Sequence, residues 1–76
     1  MSGMESIHTP AYRAFLKRLV AARLAAGMTQ VEVAAALRWP QPRISRMETG
    51  ERRVDVIELS ALADLYEKPL AYFVGR

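Results

Sequence analysis

The chain has 76 residues and no cysteine, which limits it to one small domain and excludes disulfides and thiolate metal sites. Half of it is hydrophobic (51%), too much for a disordered chain, and no apolar run approaches the roughly 18 residues that a membrane-spanning helix needs. The net charge is +3, and nine of the 11 basic residues are arginine, whose planar fork suits phosphate and guanine better than lysine does.

Residues 1–9 (MSGMESIHT) show no period and carry no basic-then-apolar leader; they read as a flexible N-terminal arm ahead of a domain over 10–76. From Pro10 to about Ala26 the apolar residues recur at helical spacing, with Leu16, Leu19, Val20 and Leu24 expected to face inward and Arg13, Lys17 and Arg18 outward. Gly27 is a natural terminator. Thr29-Gln30-Val31-Glu32 has the form of a capping box, so a second helix runs over 30–37 with Val33, Ala34 and Leu37 inward. Pro40 stops it, because a proline disfavours helical geometry in the residue before it. Pro42 then suits the first turn of a short third helix over 41–48, held inward by Ile44 and Met47 and ended by Gly50. Asp55 and Glu58 repeat the acceptor-x-x-Glu pattern and start a fourth helix over 56–66. Pro69 opens a final helix over 69–74. With no strand signal and no repeat, the expectation is a compact all-α domain of five helices.

Charge is uneven along this plan. Arg38, Arg43, Arg46, Arg52 and Arg53 against Glu48 and Glu51 give residues 38–53 a local net of +3. Asp55, Glu58, Asp64 and Glu67 against Lys68 and Arg76 leave residues 54–76 at −2. Positive charge therefore gathers at the third helix and the loop after it. Helices two and three are separated by about three residues, and Ala34 is small enough to let them approach. This is the helix-turn-helix arrangement, in which the second helix enters the major groove of DNA. Gln41, Pro42, Arg43, Ser45 and Arg46 are left on the outward side, and Gln41 and Arg46 carry the groups that pair with adenine and guanine edges.

Arg23-x-x-x-Gly27-Met28-Thr29-Gln30-x-Glu32-x-Ala34 and Gln41-x-x-Ile44-Ser45-Arg46-x-Glu48-x-Gly50 stand in this order. Leu59-x-x-Leu62-Ala63-Asp64-Leu65-Tyr66 and Leu70-x-Tyr72-Phe73 follow them. From Leu19 to Phe73 the chain resembles the phage-repressor-like (Cro and lambda-repressor, or XRE) helix-turn-helix domains. The resemblance implies that Gln41, Pro42 and Arg46 face bases, with Arg43 at the groove edge. It implies that Gln30 binds a backbone phosphate beside the amides that open helix two. The resemblance also implies that Ser45 serves phosphates or packing, and that Arg23 pairs with Glu48 as a structural ion pair beneath the groove-reading helix. Arg52 and Arg53 follow Gly50 and are expected at phosphates, the alternative being a solvated basic loop.

Three departures from the family pattern stand out. Arg38 replaces a frequent glycine, so the turn is either strained or different. Trp39 replaces a small aliphatic residue and reads as a core plug, and Pro42 replaces a polar one, leaving an apolar contact such as a thymine methyl.

Leu70, Tyr72, Phe73 and Val74 either close the core or form a two-fold dimer contact. His8 has no ligand or catalytic partner nearby, no serine has a neighbouring base, and there is no phosphate-cradling glycine loop; neither an enzyme nor a cofactor is expected. The expectation is a transcriptional regulator, specifically a repressor, binding a two-fold symmetric double-stranded DNA operator as a homodimer in the cytoplasm, on the nucleoid. The competing readings are a protein-interaction module, such as the antitoxin of a toxin–antitoxin pair, and a basic amphipathic helix on membranes. The starting Met and finished final helix lead us to expect a full-length regulator.

Overall fold

A computed structural model describes residues 9–75; the expected arm up to His8, and Arg76, lie outside the described residues. Five helices follow one another: α1 (Pro10–Ala25), α2 (Gln30–Leu37), α3 (Gln41–Thr49), α4 (Val56–Tyr66) and α5 (Leu70–Val74). There is no strand among the described residues. Every expected helix is present, with bounds shifted by a residue at three ends. α1 stops at Ala25, α3 continues to Thr49, and Pro69 caps α5 rather than belonging to it.

The starts of α1, α2 and α4 are set by side chains, and prolines precede α3 and α5. Thr9, the last residue assigned to the arm, is the N-cap of α1: its hydroxyl accepts from the Tyr12 amide at 3.1 Å. Both expected capping boxes form. Thr29 Oγ1 accepts from the Glu32 amide (3.1 Å) while Glu32 accepts from the Thr29 amide (2.9 Å). Asp55 and Glu58 exchange the same pair of bonds at 2.7 and 3.1 Å.

The core is built from Phe15, Leu19 and Ala22 of α1, Val33 and Ala34 of α2, Ile44 and Met47 of α3, Leu62, Ala63 and Tyr66 of α4, and Phe73 of α5. α1 is the central rod, touching α3, α4 and α5, while α2 packs on α3. The inward stripe of α1 differs from the sequence expectation. Leu16 and Val20 are only half-buried and Leu24 is 62% exposed, because the other helices gather on the side of Phe15, Leu19 and Ala22. α1 carries more apolar residues than one face can hold, so periodicity alone did not settle which side wins. The face of Phe15, Leu19 and Ala22 is spent on the core, and no single described helix is long and apolar enough to cross a membrane.

α1, α2 and α4 end in the same hydrogen-bonded turn. The amide five residues on reaches back to a carbonyl in the last turn: Met28 to Arg23 (3.2 Å), Trp39 to Ala34 (3.0 Å) and Lys68 to Ala63 (2.9 Å). The motif needs one residue at positive φ. In α1 that residue is Gly27, but in α2 it is Arg38 (φ 59°) and in α4 it is Glu67 (φ 58°). Arg38 thus keeps the turn that glycine would favour and accepts the strain of a Cβ crowding its own carbonyl. Arg38→Gly relieves about 1–2 kcal/mol of that strain and returns about 0.4–1 kcal/mol through the freer unfolded chain. We expect a net gain of about 0 to 1.6 kcal/mol, read as a higher midpoint in thermal melting followed by circular dichroism.

Candidate nucleic-acid interface

α3 is attached through its inner side: Ile44 and Met47 are fully buried against α1 and α2. Burying these two side chains pins the helix by a few kcal/mol, on the order of 1.5–3 kcal/mol each, and leaves the opposite side outside. Gln41, Pro42 and Arg46 are exposed there, and Arg43 and Ser45 are half-exposed. The Arg46 guanidinium has no partner among the described residues. The turn from α2 into α3 consists of Arg38, Trp39 and Pro40.

A polar chain fixes how α3 sits on α1 and α2. Arg23 of α1 donates twice to Glu48 of α3, from Nε to Oε2 at 2.7 Å and from Nη2 to Oε1 at 3.1 Å. Arg23 Nη1 also donates to the Met28 carbonyl at 2.9 Å. Gln30 Nε2 donates to Glu48 Oε1 (2.9 Å), and Gln41 Nε2 donates to Gln30 Oε1 (3.2 Å). Gln30 and Gln41, expected at a phosphate and at a base, are therefore joined to each other and, through Glu48, to Arg23. One Nε2 hydrogen of each amide remains outside these bonds.

The Glu48 carboxylate, hydrogen-bonded to Arg23, raises the guanidinium's pKa and keeps it charged. Beside them burial pushes the Tyr66 phenol up to about 12, with Glu48 adding to the effect, and the hydroxyl has no partner among the described residues.

The loop after α3 is fastened at both edges. The Arg52 amide donates to the Arg46 carbonyl (3.1 Å) and the Val54 amide to the Tyr12 hydroxyl of α1 (3.1 Å). Arg53 lies over the Tyr12 ring at 4.9 Å, and Arg43 over the Trp39 ring at 5.0 Å. Trp39 packs against the core with one side and supports Arg43 with the other.

Glu58 is the residue that sequence reasoning undervalued. It caps α4 as expected, yet its carboxylate also binds Arg52 through both oxygens (2.7 and 2.9 Å) and lies 3.7 Å from Arg43 Nη1. Arg52 is consequently half of an ion pair rather than a loose basic residue. Arg52 lies six residues before Glu58 across an irregular loop, and Arg43 is on another helix, separations with no periodic signature.

At the other end of the molecule Phe73 is completely buried, so it belongs to the core and is closed to any dimer contact. Tyr72 is half-buried, edge-on to Phe73 with Lys68 over its ring, whereas Leu70 and Val74 are exposed. No cluster of three or more His, Asp or Glu side chains fit to hold a metal occurs among the described residues.

Residues 19–73 match the family model described as helix-turn-helix, of the XRE and Cro–lambda-repressor type. The match spans most of the chain and contains the whole assembly of Arg23, Gln30, Glu48 and α3; the chain belongs to this family. It is accordingly a DNA-binding protein of the transcription-regulator class. Comparison with curated proteins and with solved structures gives no significant match.

Glu48→Ala strands the Arg23 guanidinium, whose side chain is only 12% exposed. Removing one partner of a buried pair costs about 3–5 kcal/mol, and urea melts should show a loss near the lower end of that range. Glu58 has a pKa held below the ordinary carboxylate value, first by the Arg52 hydrogen bond, against the opposing effect of burial. A depressed folded-state pKa contributes stability that is complete above the unfolded value, about 4.3. That contribution is lost as pH falls through the lower folded value. Glu58→Gln, which has no such proton to take up, should lose less stability than the parent between about pH 5 and pH 2.

Proposed function

We propose that the protein is a sequence-specific transcriptional regulator, a repressor, that inserts α3 into the major groove of a two-fold symmetric double-stranded DNA operator. The observation that carries this reading is the presentation of α3: anchored by Ile44 and Met47, it exposes Gln41, Pro42 and Arg46 beside Arg43, Arg52 and Arg53. In this reading Arg46 donates to a guanine edge, Gln41 pairs with adenine, and Pro42 meets a thymine methyl. Arg43 works at the groove edge. Gln30, Ser45, Arg52 and Arg53 take backbone phosphates, which supply affinity and its salt dependence without reading sequence. Repression follows from occupancy, since a protein seated on a promoter excludes polymerase.

One copy of so short a helix reads few base pairs, so two copies are proposed to act together on half-sites about 34 Å apart. The exposed Leu70 and Val74, with Tyr72 beside them, form the proposed dimer contact. A second reading, a protein-interaction module such as an antitoxin, draws on one feature. An apolar groove of about 520 Å³ lies between α1 and the start of α4, lined by Tyr12, Phe15, Val54, Val56, Leu59 and Val74 among others. A partner encoded next door and co-purifying with the chain would favour it.

Selection from random duplexes, followed by binding titrations, tests the main reading. The wild type should enrich a two-fold symmetric motif. Arg46→Ala should relax preference at one position per half-site at a cost of about 1–3 kcal/mol. Arg53→Ala should weaken all sequences alike and lower the salt slope by about one per protomer. Uniform weakening by both variants would remove Arg46 from base readout, and no enriched motif would sink sequence-specific binding.

A further inference from the structure

Two arginines from different elements converge on one carboxylate beside the groove-reading helix. Arg43 comes from α3, Arg52 from the loop that follows, and Glu58 from the first turn of α4. The carboxylate is tied on several sides. Its side chain is 11% exposed, its Oε1 also accepts from the Asp55 amide at 3.1 Å, and its own amide is bound by Asp55 Oδ1 at 2.7 Å. It cannot swing away without opening the capping box that starts α4.

Arg52 meets it with both terminal nitrogens, using two of five N–H bonds, and remains 41% exposed. Three N–H bonds, including Nε–H, are therefore left for another acceptor while the pair stays intact. Arg43 is held between the Trp39 ring and Glu58 and is 33% exposed. Without the carboxylate these two positive groups would repel and sample many rotamers; with it, one charge is neutralised and both guanidiniums have fixed places.

We infer that Glu58 is a positioning residue for DNA-backbone contact: a fixed carboxylate on α4 holds the Arg52 and Arg43 guanidiniums so that their remaining N–H edges meet phosphates already aligned. The inference rests on the DNA-binding reading above and adds to it a residue that itself touches no DNA. A side chain ordered before binding saves the entropy of ordering it on the DNA, equivalent to about three- to ten-fold in affinity. This gain opposes, and in this geometry exceeds, the repulsion of a carboxylate for phosphate, because Arg52 lies directly against both carboxylate oxygens and offsets their charge.

The test is a binding titration of the full chain with a random-sequence DNA duplex across a salt series, using fluorescence anisotropy, for the wild type, Glu58→Gln, Arg52→Ala and the double variant. Glu58→Gln should weaken binding by about three- to ten-fold and flatten the salt dependence. The same change should cost less when Arg52 is already alanine. Tighter binding by Glu58→Gln, unchanged affinity, or an equal loss in both backgrounds each overturns the inference. Should Glu58→Gln fail to fold by circular dichroism, Arg52→Gln leaves the capping box intact and probes the same coupling from the other partner.

A readout without DNA separates this inference from the reading beneath it. In NMR relaxation of the free protein, the Arg52 Nε–H should be as ordered as the backbone, and lose that order in Glu58→Gln. A mobile Arg52 in a wild type that binds duplex defeats the inference alone. An ordered Arg52 in a wild type that binds no duplex defeats the DNA reading, and the inference with it.

Discussion

Glu48 receives hydrogen bonds from two other helices, and the placement of α3 depends on it. Hydrophobic burial of Ile44 and Met47 attaches α3 to the core, but apolar contact is non-directional and tolerates rotation and sliding. Hydrogen bonds of 2.7 to 3.1 Å from Arg23 and Gln30 to one carboxylate do not. They specify one rotation of α3, which decides which side chains stand outside. Gln41 extends the same network to the surface through the half-buried Gln30, which is itself bonded to Glu48.

Local chemistry explains why so much of the fold was legible. Capping boxes, prolines in first turns and a glycine after α1 each act within a few residues, and the helices they delimit came out within a residue of expectation. The helix pair and its outward side followed from the spacing of Ile44 and Met47 for the same reason. What stayed hidden depends on tertiary position. Leu24 is as apolar as Leu19, and only the placement of the other helices decides that one is buried and the other exposed. Phe73 and Leu70 divide between core and surface on the same basis. Glu58 was visible as a cap; its second task required Arg43 and Arg52 to arrive from elsewhere in the chain.

The basic surface is less mobile than its composition implies. Trp39 supports Arg43, Tyr12 supports Arg53, and Glu58 holds Arg52, so three of the arginines around α3 rest on aromatic or acidic partners. Arg46 and Arg38 are the exceptions, both exposed and without a side-chain partner among the described residues. A guanidinium supported from below loses less freedom on meeting an anion, whereas an unsupported one can adapt to the edge it finds. The distribution of partners divides the surface into a supported frame and adjustable arginines, of which Arg46 stands on α3 itself.

α1 bears on both the groove-reading helix and the C-terminal helix. The pitch of the first and the seat of the second are thus set by a single strut, through Arg23 near one end and the buried Phe15 and Leu19 further along it. Neither end can be retuned alone by altering that strut: a substitution that shifts its axis moves both. Independent adjustment has to come from contacts that serve only one of the two, such as the Gln30–Glu48 hydrogen bond beneath α3, which can change while the strut stays in place.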